Sequence, residues 1–421
     1  MYLQIVARES QLTVANNTRE VLSIMNTSTP LVIQEIKDRD QWNAYVSQQT
    51  YVHLMQSYEW GELNQYLGVR VYRLGALQDG KLVGVMQLHV VAIPIPVLHI
   101  NYLYCIRGPV VEDPNSPAIP GLLKQAQVIA RKEHAVVLRL DLNIPDDDPR
   151  LDEWQQSYQR LGFKPNAHTG VSRRSWVLDL RPSAEQLLAD FKMTWRQNVR
   201  VSERKGVIIR EIENDADFDT YYDILKETGE RDDFFIHNRE YHKEIYNKYK
   251  SRGQAVIFLA EHEGEPLATK FLIRMGDWCW DMFGGSLNKK RNLKPTYLIQ
   301  YRCFLWAKEQ GCSFFDFRAI PNILEPGQEM YGVYEFKKGF GGFSRMVINT
   351  LDYVYNPILY KAWNSLIEYR RARRQKERSK LELERAARGQ QATATENKVE
   401  KPVAQAIPAT PAETSPVEAK K

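Results

Sequence analysis

In the stretch YEFKKGFGG, Tyr334 to Gly342, two lysines stand side by side among aromatic residues and ahead of a glycine pair. An ordinary lysine is protonated at neutral pH and is no base unless desolvated; what it offers is a fixed positive charge for an anion or a developing oxyanion. Read as a strand, the stretch puts Tyr334, Phe336, Lys338 and Phe340 on one face and Glu335, Lys337 and Gly339 on the other. Lys338 then lays its stem on the rings and sends its ammonium to solvent. Lys337, beside a small glycine, has room to meet a ligand or is a plain surface cation, and Gly341-Gly342 is the turn that ends the strand.

Four more groups carry charge in patterns that suit anionic ligands. Arg196, Arg200 and Arg204 in WRQNVRVSERKG recur at helical spacing and form one basic stripe, a solvated face or a phosphate contact. In YCIRGPVVED, Arg107 and Gly108 follow a strand and Asp113 stands at a helix entry; either Tyr104 and Arg107 hold substrate or this is a structural turn with a capping Asp. ERDDFFIHNREY reads as a loop that offers Arg231, Arg239 and Tyr241 around an aromatic patch. In RNLKPTYLIQ, Arg291 and Asn292 precede a helix whose first turns hold Tyr297 and Gln300, as cleft residues or as capping groups.

The elements that must position these residues occur twice. VYRLGALQDGKLVGVMQL (Val71 to Leu88) and AVIFLAEHEGEPLATKFL (Ala255 to Leu272) each alternate, turn at Asp-Gly or Glu-Gly, and alternate again, as hairpins do. ARKEHAVVLRLDLNIP (Ala130 to Pro145) and WAKEQGCSFFDFRAIP (Trp306 to Pro321) then match as a helix followed by a buried strand. Two matches in one order imply a duplicated α/β unit. Hairpin, helix and strand on a mixed sheet is the layout of the GNAT-type acyltransferase fold, so two tandem GNAT-like domains are expected, at 30–180 and 181–356.

Fold alone does not name the acyl donor. Coenzyme A requires bare backbone amides and glycines at a helix N-terminus. Lys294-Pro295-Thr296-Tyr297 occupies that turn in the second unit, and DPNSPAIPGLLKQ in the first is no better, so the sequence disfavours coenzyme A. The four cysteines lack metal-ligand spacing and no H-E-x-x-H pattern accompanies them, so free thiols, no metal and no cofactor are expected. No run approaches the roughly 18 apolar residues of a membrane span, and Met1 to Val14 lacks a secretory pattern, which reads as cytoplasmic.

The net charge of +5 is concentrated in Glu368 to Gly389. A basic helix is expected at 357–389, either a solvated stalk or a peripheral contact with anionic lipid or RNA. Residues 1–29 read as a poorly ordered extension, and 390–421, rich in Ala, Pro, Thr, Glu and Lys, as a disordered tail.

LMQSYEWGELNQYLG, YLYCIRGPVVED, WRQNVRVSERKGV, LKETGERDDFFIHNREYH, RNLKPTYLIQ and YGVYEFKKGFGG follow one another in this order. Together they resemble the Fem family (FemABX), non-ribosomal peptidyltransferases of the bacterial cell wall, over residues 30 to 365 and in its shorter form, without an inserted helical hairpin. The resemblance implies a monomeric cytoplasmic enzyme at the inner membrane face. It would move an amino acid from aminoacyl-tRNA to the side-chain amine of the stem peptide of lipid II or UDP-MurNAc-pentapeptide, with no role for DNA.

In that reading Lys337 takes the family's Phe-Lys position as the catalytic-cleft cation. Phe336, Trp60, Tyr104, Arg107, Asp113, Arg231, Arg239, Tyr241, Arg291, Asn292, Tyr297 and Gln300 bind substrate, and Arg196, Arg200 and Arg204 bind tRNA phosphates. After the Gln56-Ser57-x-x-Trp60 block many relatives place a lysine where this chain has Asn64 and Gln65, which puts a phosphate contact there in doubt. An N-acyltransferase with another activated donor and a non-catalytic membrane-surface scaffold are the competing readings.

Overall fold

The computed structural model describes residues 30–95, 98–166, 172–328, 330–370, 372–373 and 376–377. The expected N-terminal extension and C-terminal tail lie outside them.

The strands in chain order are β1 (Val32–Glu35), β2 (Arg70–Gln78), β3 (Lys81–Ala92), β4 (Asn101–Ile106), β5 (Ala135–Asp141), β6 (Lys164–Asn166) and β7 (Arg174–Asp179). They continue as β8 (Ile208–Glu211), β9 (Ala255–His262), β10 (Glu265–Met275), β11 (Trp278–Ser286), β12 (Phe314–Ala319), β13 (Phe343–Met346) and β14 (Thr350–Val354). The described residues build two seven-stranded mixed sheets, ordered β1-β2-β3-β4-β5-β14-β6 and β13-β7-β12-β11-β10-β9-β8. Within each, antiparallel hairpins precede one parallel pair, β4 with β5 and β11 with β12.

The two hairpins expected from the repeat are β2-β3 and β9-β10. Their turns, Asp79-Gly80 and Glu263-Gly264, hold both central residues at positive φ, 51° and 74° in the first and 55° and 77° in the second. That geometry matches the twist of the flanking strands and is why glycine follows an acidic residue in both. The helices Ala118–Lys132 and Pro295–Glu309 lead into β5 and β12, as the second sequence match requires. The chain therefore folds as two tandem GNAT-like α/β units.

The sheets exchange segments across the boundary expected at 180/181. β7 pairs with β12 and β13 in the second sheet, and β14 returns to pair with β5 and β6 in the first. A buried bidentate pair fastens that return: Arg139 Nε and Nη2 donate to the two Asp352 carboxylate oxygens at 2.8 and 2.7 Å, with Asn166 Nδ2 on one of them at 2.6 Å.

Two expectations about local structure are corrected. Tyr331–Lys338 is an α-helix, not a strand. Its buried positions, Tyr334 and Lys337, are three apart, which is helical spacing, and a short aromatic run carries too few residues for alternation to decide. The segment read as a loop around Arg231 to Tyr241 is mostly helical: Arg231 ends the helix Asp215–Asp232, and Arg239 opens the helix Arg239–Lys250.

The four cysteines are buried free thiols. Residues 357–370 are helical, and the described residues from Ile358 onward belong to a separate unit; most of the expected basic helix beyond 370 lies outside the described residues. Among the described residues no helix is long and apolar enough to cross a membrane.

Candidate functional site

A cleft of about 300 Å³ opens where the C-terminal ends of β4, β5 and β12 face β7, β11 and β13. Open α/β sheets bind ligands beyond the carboxyl ends of their strands, where chain connections part. Five guanidinium groups line it, from Arg107, Arg173, Arg174, Arg318 and Arg345.

Every one of these arginines is held by a neutral group. Arg107 Nη2 donates to the Ser172 carbonyl at 2.6 Å, Arg173 Nε to that of Val347 at 3.0 Å, and Arg345 to the Asn143 amide and carbonyl oxygens at 3.1 and 2.8 Å. Arg174 and Arg318 reach the sulfurs of Met346 and Met282. Arg107 also keeps Nε and Nη1 buried with no partner among the described residues. Burial depresses the pKa of Arg318, and holds Arg345 down at about 10. These groups are oriented without being neutralised, which is the electrostatics of an anion site.

The backbone adapts to aim them. Arg107 and Arg318 sit at φ 56° and 65°, a left-handed conformation unusual for arginine and concentrated at functional sites. A bulge between β10 and β11 pairs Phe271 with Phe283 and Leu272 with Asp281, so Met282 is the extra residue that turns toward Arg318.

Two other titratable groups line the cleft, and Lys337 lies behind its wall. His53 Nδ1 accepts the Met55 N–H at 3.1 Å, while burial and then Arg107, Arg318 and Arg345 hold the ring well below its usual pKa. The ring is thus neutral at pH 7 with its proton on Nε2, a donor and not a base. Asp316, 5% exposed, accepts the Arg318 N–H at 2.6 Å and the Ser175 hydroxyl at 3.3 Å. Burial raises its pKa against the opposing pull of Arg345, Arg318 and Lys337.

Lys337 projects from the helix Tyr331–Lys338 toward the wedge where β11 and β12 part beyond Trp280 and Asp316. It is 9% exposed, and its Nζ donates to the Ala319 carbonyl, itself part of the cleft wall, at 2.7 Å. Burial lowers its pKa to about 8; Asp281 and Asp316 pull the other way, and Lys270 and Arg318 add to the lowering. Lys270 itself pairs with Asp281 at 2.5 Å. Lys338 is exposed, lying 5.4 Å from the centre of the Tyr334 ring and 3.8 Å from Glu335. Helical geometry separates the two lysines, and it is Lys337, not Lys338, that shares the buried face with Tyr334.

The remaining expected residues fall in different places. Tyr241 is buried, stacked on His237 at 4.0 Å, and feels the charge of Arg318. Tyr104 is buried behind the cleft with its hydroxyl on Asp141 at 3.1 Å. Gln300 is fully buried with both amide atoms unpartnered. Phe336 and Tyr297 pack on each other at 5.5 Å, and Trp60 packs in the core around the helix Tyr58–Tyr66.

Asp113 is exposed and caps the Asn115 N–H. Arg231 donates to the Ser286 carbonyl, and Arg239 pairs with Asp219. Arg291 contacts Asn288, and the Asn292 carbonyl accepts from Lys205 at 3.4 Å. None of these lines the cleft. Arg196, Arg200 and Arg204 do share one face of the helix Met193–Arg204, along an open groove of about 520 Å³.

Sequence reasoning missed His53, Asn143, Arg173, Arg174, Asp316, Arg318 and Arg345. A signal existed for three of them, Asn143, Asp316 and Arg318. LRLDLNIP and FFDFRAIP both carry polar residues at the end of a buried strand, just before the matched Ile-Pro.

A sequence model described as the FemAB family matches residues 37–264 and 254–368. The proteins named lipid II:glycine glycyltransferase from Staphylococcus aureus strains MRSA252 and USA300 are each 25% identical over 392 residues, across 76% of this chain and 92% of their own. A crystal structure of FemX superposes with a TM-score of 0.73 at 23% identity, covering 79% of this chain and 99% of that one.

Proposed function

The chain belongs to the FemAB family, and from that premise we propose that it transfers an amino acid from aminoacyl-tRNA to the side-chain amine of a peptidoglycan stem peptide. The acceptor is lipid II or UDP-MurNAc-pentapeptide. Relatives named for glycyl transfer to lipid II support an acceptor of this type.

The observation that carries the reading is the set of five cleft arginines whose hydrogen bonds, among the described residues, go to neutral partners. Both proposed substrates bring phosphate, and a diphosphate in the cleft supplies the charge those guanidiniums lack. The reaction is aminolysis of an ester: the amine attacks the carbonyl carbon, a tetrahedral oxyanion forms, and the ribose oxygen departs. Lys337, fixed at the Ala319 carbonyl, and the His53 Nε2–H are the donors that stabilise the oxyanion. The stripe Arg196, Arg200 and Arg204 receives tRNA phosphates outside the cleft.

The helix that would cradle coenzyme A in an acetyltransferase of this fold opens on Pro295, which lacks an N–H and is buried, after Lys294 in a left-handed turn. That turn offers a pyrophosphate one backbone donor fewer and no glycine, which favours an ester donor.

The test supplies tRNA charged with radiolabelled amino acids together with lipid II or UDP-MurNAc-pentapeptide, and follows the product by mass spectrometry. Label moving to the stem-peptide amine is expected with one acceptor preferred. No transfer from any charged tRNA to either acceptor overturns the proposal.

A further inference from the structure

Asp316 is the one carboxylate among the described residues that line the cleft. It stands on β12 opposite Trp280 of β11, with Asp281 next along that strand. Ser175 faces it from β7, Arg345 from β13, Lys337 from the helix Tyr331–Lys338, and Arg318 from its own strand. Despite three cations around it, its only hydrogen bonds among the described residues come from the Arg318 N–H and, at 3.3 Å, the Ser175 hydroxyl, and it closes no ion pair. Each neighbouring cation is turned to something neutral: Arg345 to Asn143, Arg318 to the Met282 sulfur, Lys337 to the Ala319 carbonyl. A buried carboxylate left unpaired among cations is costly unless a further charge joins it.

We propose that Asp316 is the group that receives the acceptor's ammonium and serves as general base for its attack on the aminoacyl ester. This assignment rests on the transfer reading above. An amine arriving protonated pairs with the carboxylate oxygen that Ser175 holds only loosely, and releases one proton to water, which frees the nitrogen lone pair. As the neutral amine bonds to the ester carbonyl carbon, a second proton passes from nitrogen to that oxygen. When the carbon–oxygen bond to ribose breaks, that second proton goes to the departing oxygen, and the carboxylate is restored. From ammonium and ester the products are amide, ribose hydroxyl and one proton in water, so atoms and charge balance. The raised pKa that burial gives Asp316 suits this task, since a base works best when its proton affinity approaches that of its surroundings. The Asp316 charge acts on Lys337, so the base and the proposed oxyanion donor are neighbours.

The experiment compares the full-length wild type with Asp316→Asn, which keeps an acceptor oxygen for the Arg318 N–H. Transfer is measured from charged tRNA to acceptors bearing either the natural side-chain amine or a less basic one, made by placing sulfur two carbons away from the nitrogen. The variant is expected to lose kcat by about 100-fold or more near pH 7, with KM for charged tRNA unchanged. Its rate should rise with pH along the titration of the acceptor amine alone, and the less basic amine should restore part of it.

Wild-type rates in Asp316→Asn, or a loss that ignores both pH and amine basicity, would overturn the assignment. Should the variant not fold, the wild type decides. An acidic limb that stays in place when the amine is changed belongs to the enzyme's carboxyl, and one that moves with the amine refutes it. A wild type silent with every charged tRNA removes the transfer reading, and this assignment with it. An active wild type matched by Asp316→Asn removes the assignment alone.

Discussion

At the scale of single residues, the role proposed for Lys337 carries a cost in stability. Its pKa falls from 10.5 to about 8 on burial, so between those values the unfolded chain holds a proton that the folded chain has released. Stability therefore rises as pH climbs from about 8 to 10.5, and below pH 8 the fold bears the whole penalty, about 3 kcal/mol. Lys337→Met is expected to abolish transfer while raising the unfolding free energy near pH 7 by about 1–3 kcal/mol, a gain that shrinks toward pH 10.5. Lys338→Met, at an exposed site, should change neither. Denaturant unfolding across pH, beside the transfer assay, checks both, and equal losses of transfer in the two variants would count against the distinction.

At the scale of elements, the wedge between β11 and β12 depends on a bulge that sends consecutive residues of β11 to different tasks. Met282 turns to Arg318 and Asp281 to Lys270, whose side chain passes over Gly284 because a Cβ there would come within 2.8 Å of Lys270 Cδ. Asp281 favours the charged form of Lys337 and Lys270 disfavours it. Lys270→Met should accordingly move the Lys337 titration above about 8, and Asp281→Asn below it. Amine labelling of Lys337 as a function of pH, read by mass spectrometry, measures both shifts without any substrate. Shifts of the same sign would show that the pair acts through general loosening instead. The hairpins were legible because Asp-Gly and Glu-Gly turns fix them locally. The helix Tyr331–Lys338 was not, since its eight residues form a helix only where Tyr334 and Lys337 find neighbours to pack against.

At the scale of the whole molecule, the exchange of β7 and β14 ties each sheet to sequence from the other half. The Arg139–Asp352 pair joins residues 213 apart in the chain and is buried at both ends. Asp352→Ala leaves that guanidinium without its carboxylate and should cost about 3–5 kcal/mol, measured as a shift in the denaturant midpoint. A change within a few tenths of a kcal/mol would mean that β14 is held by its ladder alone. The sequence by itself determined the duplication, the hairpins, the helix-to-strand order of each unit and the family, because these are written in local periodicity, turn chemistry and ordered motifs. It also pointed to Arg107 and Lys337. Only the tertiary structure decided that Arg173, Arg174, Asp316, Arg318 and Arg345 meet in one cleft, and that Arg231, Arg239 and Arg291 stand outside it. The strand ends that deliver them are far apart in sequence, and whether an arginine faces a carboxylate or a carbonyl is a property of neighbours that no short stretch records.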